Sequence, residues 1–175
     1  MAKIYEDSRQ QSGKHEVKHA WFAAHGVELV RKKLDFGDYM ADGSNVSIDT
    51  KRNLQEVAMD CGRDHARFAR EMDRARDAAH RLVILVEVGG PYRTIEDVRG
   101  WVSDVCKRCD HRRMGHCDPA GSMRCQKYRC KPMQGGTLAK IMERMQETHG
   151  CVFELVRPHQ SAKRICEWLG VTYDE

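Results

Sequence analysis

The chain has 175 residues, the size of one compact domain, and its 41% hydrophobic and 32% charged content is ordinary for a globular protein. A formal net charge of +4 permits a nucleic acid partner without indicating one. No apolar run approaches the roughly 20 residues that span a bilayer, and the first residues lack the apolar segment of a signal peptide. We therefore expect a cytoplasmic protein with no membrane partner, whose eight cysteines are reduced or bound to metal.

Hydropathy patterns along the chain predict an α/β protein. Alternating or continuously apolar segments are typical of strands, and apolar residues at helical spacing are typical of helices. Because the two kinds of segment are interspersed, we expect a sandwich in which helices flank a mixed central sheet. The predicted strands are 3–6, 27–34, 46–51, 82–88 and 151–156, and the predicted helices are 17–24, 53–59, 64–80, a helix capped by Thr94, 138–149 and 161–169.

Two of these strands carry the charged residues with the clearest chemical meaning. Asp38 follows a glycine after the strand 27–34, and Asp49 and Lys51 lie two apart on the strand 46–51, so they point to the same face. Polar turn residues lie between the strands and predict a hairpin that brings the three side chains together. Two neighbouring carboxylates repel each other unless a cation lies between them, and hard oxygen ligands suit Mg²⁺ or Mn²⁺.

The same stretch resembles a known nuclease family. Residues 37–39 (Gly-Asp-Tyr) and 48–52 (Ile-Asp-Thr-Lys-Arg) are similar to the Gly-Asp-Tyr…Glu-Arg-Lys signature of structure-specific endonucleases of the xeroderma pigmentosum group F type. These enzymes belong to the PD-(D/E)XK, or restriction-endonuclease-like, nucleases. Residues 5–10 resemble the family's first strand, which ends in Asp-x-Arg-Glu, and 136–169 resemble its closing helix-strand-helix. The resemblance implies a nuclease core at 1–105 and 132–175, interrupted by a cysteine-rich insertion at 106–131.

The resemblance also implies roles for individual residues. Asp38, Asp49 and the carbonyl of Thr50 would hold Mg²⁺ or Mn²⁺, and Lys51 would activate or position the attacking water. Arg9 would bind the scissile phosphate or orient a carboxylate, since its fork suits both. The predicted catalytic residues are Asp7, Arg9, Asp38, Asp49 and Lys51.

Three positions depart from the family pattern. Asp49 replaces the usual Glu and shortens the side chain by one methylene. Gln10 stands where Glu is common, and Gln55 replaces an acidic residue that usually follows the motif lysine. These departures keep open a non-catalytic alternative, in which the protein is a DNA-binding or scaffold protein on a nuclease fold.

The predicted helix 64–80 carries several arginines, and such a run is usually a solvated face. In the family interpretation, Arg63 approaches the DNA backbone. We interpret Glu71 as a partner for Arg67 and Arg74 at helical spacing rather than as a further active-site carboxylate.

The cysteine-rich block is best explained by zinc. Five cysteines fall within the 25 residues 106–130, and the first two form a Cys-x2-Cys pair, a standard zinc half-site. Free thiols in an irregular loop, a redox Cys-x2-Cys and an iron–sulfur cluster are the alternatives. A metal would fold this polar segment, which has almost no apolar residues of its own. The predicted Zn²⁺ ligands are Cys106, Cys109, Cys117 and Cys125, with Cys130 or His116 as the substitute.

Together these features predict a divalent-metal-dependent DNA endonuclease. The resemblance implies branched or flapped DNA as substrate and products with a 5′-phosphate and a 3′-hydroxyl. The small stand-alone form suggests a repair or recombination nuclease of a microbial or phage-infected cell. A Holliday-junction resolvase is the enzymatic alternative. A homodimer or a partner protein would supply substrate selection, because no tandem helix-hairpin-helix domain follows. The predicted DNA-binding residues are Arg52, Arg63, Arg67, Lys107, Arg112 and Arg113.

Overall fold

The computed structural model describes residues 2–10, 13, 15–117, 124–125, 127–128 and 131–174. Within these residues, six strands form one central sheet. The strands are β1 (Ala2–Asp7), β2 (Val27–Lys32), β3 (Tyr39–Met40), β4 (Val46–Lys51), β5 (Arg81–Glu87) and β6 (Val152–Val156).

The strands follow the spatial order β2-β1-β3-β4-β5-β6. Parallel pairs form on both sides of the sheet: β1 with β2 on one side, and β4 with β5 and β5 with β6 on the other. Between them, β3 pairs antiparallel with β1 and with β4. The sheet is therefore mixed, as the sequence predicts. Asp49 and Lys51 lie on β4, which has a paired strand on each side.

The predicted hairpin between segments 27–34 and 46–51 is wrong. The first segment forms β2 at the edge of the sheet, where it pairs only with β1. The strand that turns back into β4 is instead β3, which has only two residues. The reason is that β1, the following helix and β2 make a parallel crossover unit, which requires the second strand to lie beside the first.

Eight α-helices are formed by the described residues and are named here in chain order. Several begin at local signals in the sequence: the side chain of Asn53 accepts a hydrogen bond from Glu56 N at 2.8 Å, and Thr94 forms a capping box with Asp97. The helices are α1 (Glu16–Ala24), α2 (Leu54–Cys61), α3 (His65–Asp77), α4 (Ile95–Val98), α5 (Asp104–Lys107), α6 (Asp110–Arg113), α7 (Gly135–His149) and α8 (Ser161–Leu169).

The helices cover both faces of the sheet, and each face has its own hydrophobic core. On one face, α2, α3 and α7 pack residues such as Phe68 and Met142 against Ile84 of β5. On the other, α1 and α8 pack Phe22 and Ile165 against the alternate residues of the same strand. Burial on both faces explains why β5 is almost continuously apolar.

The helices in the described part of the chain are too short or too polar to cross a membrane.

Candidate active site

Asp49 and Lys51 form the buried centre of the site. Both point to the α2/α3 face of β4, as residues two apart on a strand do. Asp49 is only 5% exposed and Lys51 only 8%. Their ion pair joins Lys51 Nζ to Asp49 Oδ2 at 2.9 Å. The structure therefore brings together two of the residues that the sequence predicts to be catalytic.

A second carboxylate, from Asp60 of α2, completes the surroundings of the lysine. Asp60 Oδ2 lies 2.9 Å from Lys51 Nζ, and Asp60 Oδ1 accepts a hydrogen bond from Arg67 Nη2 at 3.0 Å. Burial acts to lower the pKa of Lys51, but Asp49 and Asp60 outweigh it and raise that pKa well above its ordinary value. The lysine therefore carries a fixed positive charge. The sequence analysis missed Asp60, although its place three residues after Val57 puts it on the inward face of α2.

Asp38 reaches the site because Gly37 permits a backbone conformation that other residues rarely adopt. Gly37 has φ of +69°, and a Cβ atom there would lie 2.9 Å from the carbonyl oxygen of Ile48. The same carbonyl accepts a hydrogen bond from Asp38 N at 2.6 Å, and the Asp38 carbonyl accepts one from Asp7 N at 2.8 Å. Asp38 is thus held by the backbones of two neighbouring strands.

Thr50 fixes the half-buried side chain of Asp38. Asp38 Oδ2 accepts hydrogen bonds from Thr50 N at 2.7 Å and from Thr50 Oγ1 at 2.5 Å. The sequence predicts a different contribution from Thr50, its carbonyl as a metal ligand, and that role stays a prediction.

The two aspartates are short of positive charge, which fits a cation. The pKa of Asp49 is raised to about 8, chiefly by burial; Lys51 acts to lower it, and the carboxylates of Asp38 and Glu71 add to the rise. The pKa of Asp38 is also raised, chiefly by burial. Asp49 Oδ2 is buried, and Lys51 Nζ lies 2.9 Å from it. Two neighbouring carboxylates supply the hard oxygen donors that Mg²⁺ or Mn²⁺ prefers.

No three His, Cys, Asp or Glu side chains converge into a complete metal site within the described part of the chain. Two carboxylates are compatible with Mg²⁺, which usually keeps several waters and binds through one or two protein carboxylates together with substrate phosphates.

Glu71 lies at the site, and its interpretation as a partner for Arg67 and Arg74 is wrong. Glu71 Oε1 accepts a hydrogen bond from Gly37 N at 3.0 Å, and the residue lines the same cavity as Asp38 and Asp49. It supports the turn that presents Asp38. Helical spacing predicts partners on the same helix only, and Gly37 lies 34 residues away from Glu71 in the sequence.

Asp7 and Arg9 form a tight pair at the end of β1. Arg9 Nε donates to Asp7 Oδ2 at 2.7 Å, and Arg9 Nη2 donates to the carbonyl of Leu34 at 2.7 Å. Burial acts to raise the pKa of Asp7, but the hydrogen bonds from Arg9 and Leu34 outweigh it and hold that pKa below its ordinary value. The Arg9 side chain is still 60% exposed and can also meet a ligand.

Except for Asp60, the charged side chains described above line one open cavity of about 510 Å³. The cavity lies at the carboxyl ends of β1 and β4, where ligands of α/β proteins commonly bind. Its lining residues are Asp7, Arg9, Gln10, His15, Asp35, Gly37, Asp38, Asp49, Thr50, Lys51, Arg52, Glu56, Arg67, Glu71 and Arg74.

The predicted DNA-binding residues fall into two groups. Arg52 and Arg67 line the cavity, with side chains that are 70% and 60% exposed. The others lie outside the cavity lining, on the α2–α3 connection or on α5 and α6. These are Arg63, Lys107, Arg112 and Arg113.

The described cysteines of the 106–131 segment do not form a metal cluster. Cys106 and Cys109 are buried at the short helices α5 and α6, and Cys117 and Cys125 are half-buried. His116 is exposed, and Cys130 lies outside the described residues. The zinc site and the insertion boundaries therefore stay predictions.

Comparison with known proteins identifies the fold. No model of a known protein family matches the sequence, and no curated protein matches it. The structure is similar to that of XPF from Aeropyrum pernix in complex with DNA, with a TM-score of 0.58 and 17% sequence identity over 97% of this chain. The chain spans 64% of the length of that chain. The likeness confirms the predicted fold class, a restriction-endonuclease-like α/β fold with a mixed central sheet flanked by helices.

Proposed function

We propose that this protein is a divalent-metal-dependent DNA endonuclease. The observation that carries the proposal is that Asp38, Asp49 and Lys51 line one open cavity, at the carboxyl end of β4. Two neighbouring carboxylates next to a buried ammonium group are a typical apparatus for metal-dependent phosphodiester hydrolysis. The sequence motif that contains these residues supports the same reaction.

The surroundings of the cavity support DNA as the substrate. Arg9, Arg52 and Arg67 extend exposed guanidinium groups at the cavity, and such groups bind phosphates in bidentate fashion. The similar XPF structure was determined in complex with DNA. Because this likeness concerns the fold, it supports the proposal only together with the charged residues of this chain.

Asp38 and Asp49 would hold the metal, with the Thr50 carbonyl as a further ligand. Mg²⁺ or Mn²⁺ supplies charge neutralisation at the phosphate and lowers the pKa of a bound water. The raised pKa values of both aspartates would fall when such a cation binds, so metal binding is coupled to proton release.

Lys51 would act as a cation rather than as a proton acceptor. It lies 2.9 Å from Asp49 and from Asp60, which keep its ammonium group charged. That charge would position the attacking water and stabilise negative charge on the phosphate in the transition state. Arg9, which is oriented by Asp7 and lines the same cavity, would bind the scissile phosphate.

The finer substrate class follows the family resemblance. We propose branched or flapped DNA in repair or recombination, products with a 5′-phosphate and a 3′-hydroxyl, and a homodimer or partner protein that supplies substrate selection.

The test is a cleavage assay on labelled flap, fork, four-way and linear duplex DNA. The wild-type protein is compared with Asp38→Asn, Lys51→Ala and, as a matched control, Lys140→Ala at an exposed lysine of α7. Each is incubated with Mg²⁺, Mn²⁺ or a chelator. We expect metal-dependent cutting that falls by about 100- to 1,000-fold in the two site variants and is unchanged in the control.

The substrate profile separates the alternatives. Preference for four-way DNA would identify a Holliday-junction resolvase. Tight binding without cutting of any substrate by well-folded protein would instead support the non-catalytic scaffold function and overturn the endonuclease proposal.

A further inference from the structure

A network of two hydrogen bonds links Asp38, through Gln10, to His15 at the N-cap of helix α1. Gln10 Nε2 donates to Asp38 Oδ1, and Gln10 Oε1 is bonded to His15 Nε2 at 2.7 Å. Both Gln10 and His15 line the cavity. Neither has a part in the roles described above.

The chemistry of the three side chains determines which group donates and which accepts each hydrogen bond. An ionised carboxylate only accepts hydrogen bonds, so Asp38 takes the amide NH₂ of Gln10 and leaves the amide oxygen for His15. His15 Nε2 then carries a proton and donates it, in either charge state of the ring. A glutamate in place of Gln10 would have no donor for Asp38 when ionised, and the amide is therefore the side chain that connects the two.

These two hydrogen bonds complete the fixing of the Asp38 carboxylate. Thr50 occupies Oδ2 with two hydrogen bonds, and Gln10 occupies Oδ1. Both carboxylate oxygens thus have a fixed orientation, and His15 in turn prevents the Gln10 amide from rotating. Partners of this kind behind a metal ligand change metal affinity by about 10- to 100-fold when they are removed.

We infer that Gln10 and His15 are positioning residues that orient the Asp38 carboxylate for the divalent metal. The inference rests on the proposed function, because it requires that Asp38 is a metal ligand. It goes beyond that function by assigning a task to the one acidic position of the first motif that has become an amide in this chain.

The test measures Mn²⁺ affinity by isothermal titration calorimetry, without DNA and without turnover. Only the heat that is lost in Asp38→Asn is assigned to the site. Gln10→Met and His15→Ala remove one hydrogen-bonding side chain each, and His15→Gln restores an amide donor to Gln10. The matched control is His19→Ala, which changes a histidine of the same helix that bonds to Glu6 instead.

We expect Gln10→Met and His15→Ala to weaken Mn²⁺ binding by about 10- to 100-fold, His15→Gln to stay within about threefold, and the control within about twofold. The double variant Gln10→Met/His15→Ala should bind Mn²⁺ no more weakly than Gln10→Met alone, because His15 acts on Asp38 only through Gln10. General loosening of the fold would not produce this non-additivity or the rescue by glutamine. Thermal unfolding of each variant shows that it is folded.

Two other outcomes overturn the inference in distinguishable ways. Wild-type affinity in folded Gln10→Met and His15→Ala, with loss in Asp38→Asn, would refute the positioning role and leave the metal site intact. Absence of Asp38-dependent Mn²⁺ binding in the wild-type protein would refute the metal site itself, and the inference with it.

Discussion

The chain carries two sets of candidate metal ligands, and the fold treats them differently. The carboxylates of Asp38 and Asp49 are placed by strand pairing of β4 and by backbone hydrogen bonds between neighbouring strands. Cys106 lies instead in α5, and Cys109 is the N-cap of α6; both helices have only four residues. In the described residues, their neighbours along the chain do not bring further cysteines to them.

The difference shows how much preorganisation a sheet supplies. Strand pairing fixes the backbone position of every residue on β4. The ion pair with Lys51 and the burial of the surrounding core offset the repulsion between the two carboxylates. A short polar segment has no such framework, so its ligands converge only if the metal itself provides the free energy of folding.

The largest effect is expected from the cysteine segment. If zinc folds it, the purified protein holds one Zn²⁺, with an apparent binding free energy on the order of 10 kcal/mol. Chelation would then increase amide exchange in residues 104–117 and leave β4 and β5 unchanged. Metal analysis measures the bound Zn²⁺, and hydrogen exchange measures the protection of the segment. The test variants are Cys106→Ser and Cys109→Ser. The control is Cys166→Ser, at a cysteine buried in the core on the α1/α8 face. Zinc-free protein with unchanged exchange would refute the zinc site.

The next largest effect is expected for Lys51→Met in chelator. The substitution leaves Asp49 and Asp60 without the ammonium group that separates them, and removal of one partner from a buried ion pair costs about 3–5 kcal/mol. Urea unfolding measures the loss. Lys107→Met, at an exposed lysine, is expected to stay within about 0.5 kcal/mol. A similar small loss for Lys51→Met would mean that the cluster is not electrostatically coupled.

Gly37→Ala tests the backbone that presents Asp38, and Gly43→Ala is its control. Both glycines have positive φ, which costs an L-residue about 1–2 kcal/mol, but only at Gly37 does the added Cβ meet a backbone oxygen, that of Ile48. We expect Gly37→Ala to lose about 1–3 kcal/mol more than Gly43→Ala in urea unfolding, and to weaken Mn²⁺ binding as well. Equal losses at the two positions would show that the turn relaxes without cost.

The last effect, which is the smallest when taken per pH unit, concerns the pH dependence of stability in the presence of chelator. The folded protein keeps the Asp49 proton up to a pKa of about 8, whereas the unfolded chain releases it near the ordinary value of 3.8. The stability that this proton contributes is complete below about pH 4 and is lost as the pH rises towards 8. Asp49→Asn has no such loss, so its Tm should exceed that of the wild-type protein by an amount that grows from pH 5 to pH 8.5.

While only the folded protein holds this proton, each pH unit costs the wild-type protein about 1.4 kcal/mol of stability, so the Tm difference should grow by roughly 3–6 °C per pH unit. Asp77→Asn, at an exposed aspartate, provides the control. A difference that is constant with pH would show that Asp49 is already ionised in the metal-free protein.

Much of the fold was predictable where the signals are local. Helix α8 has the predicted bounds of 161–169, and Asn53 and Thr94 cap the helices that their sequence signals indicate. The pairing of β2 was not predictable in this way. Alternation identifies a strand but not its neighbour, and the place of β2 beside β1 depends on how α1 packs against the sheet.

The sequence by itself determined that Asp49 and Lys51 share one face, because the two-residue period of a strand leaves no other arrangement. It also determined that Asp38 follows a glycine that tolerates the required turn. The tertiary structure alone decided that Asp60 and Glu71 join them from α2 and α3. Contacts between different elements depend on packing over the whole core, which no local pattern records. For the same reason, Gln10 appeared in the sequence only as a departure from a motif, and the fold made it the link between Asp38 and His15.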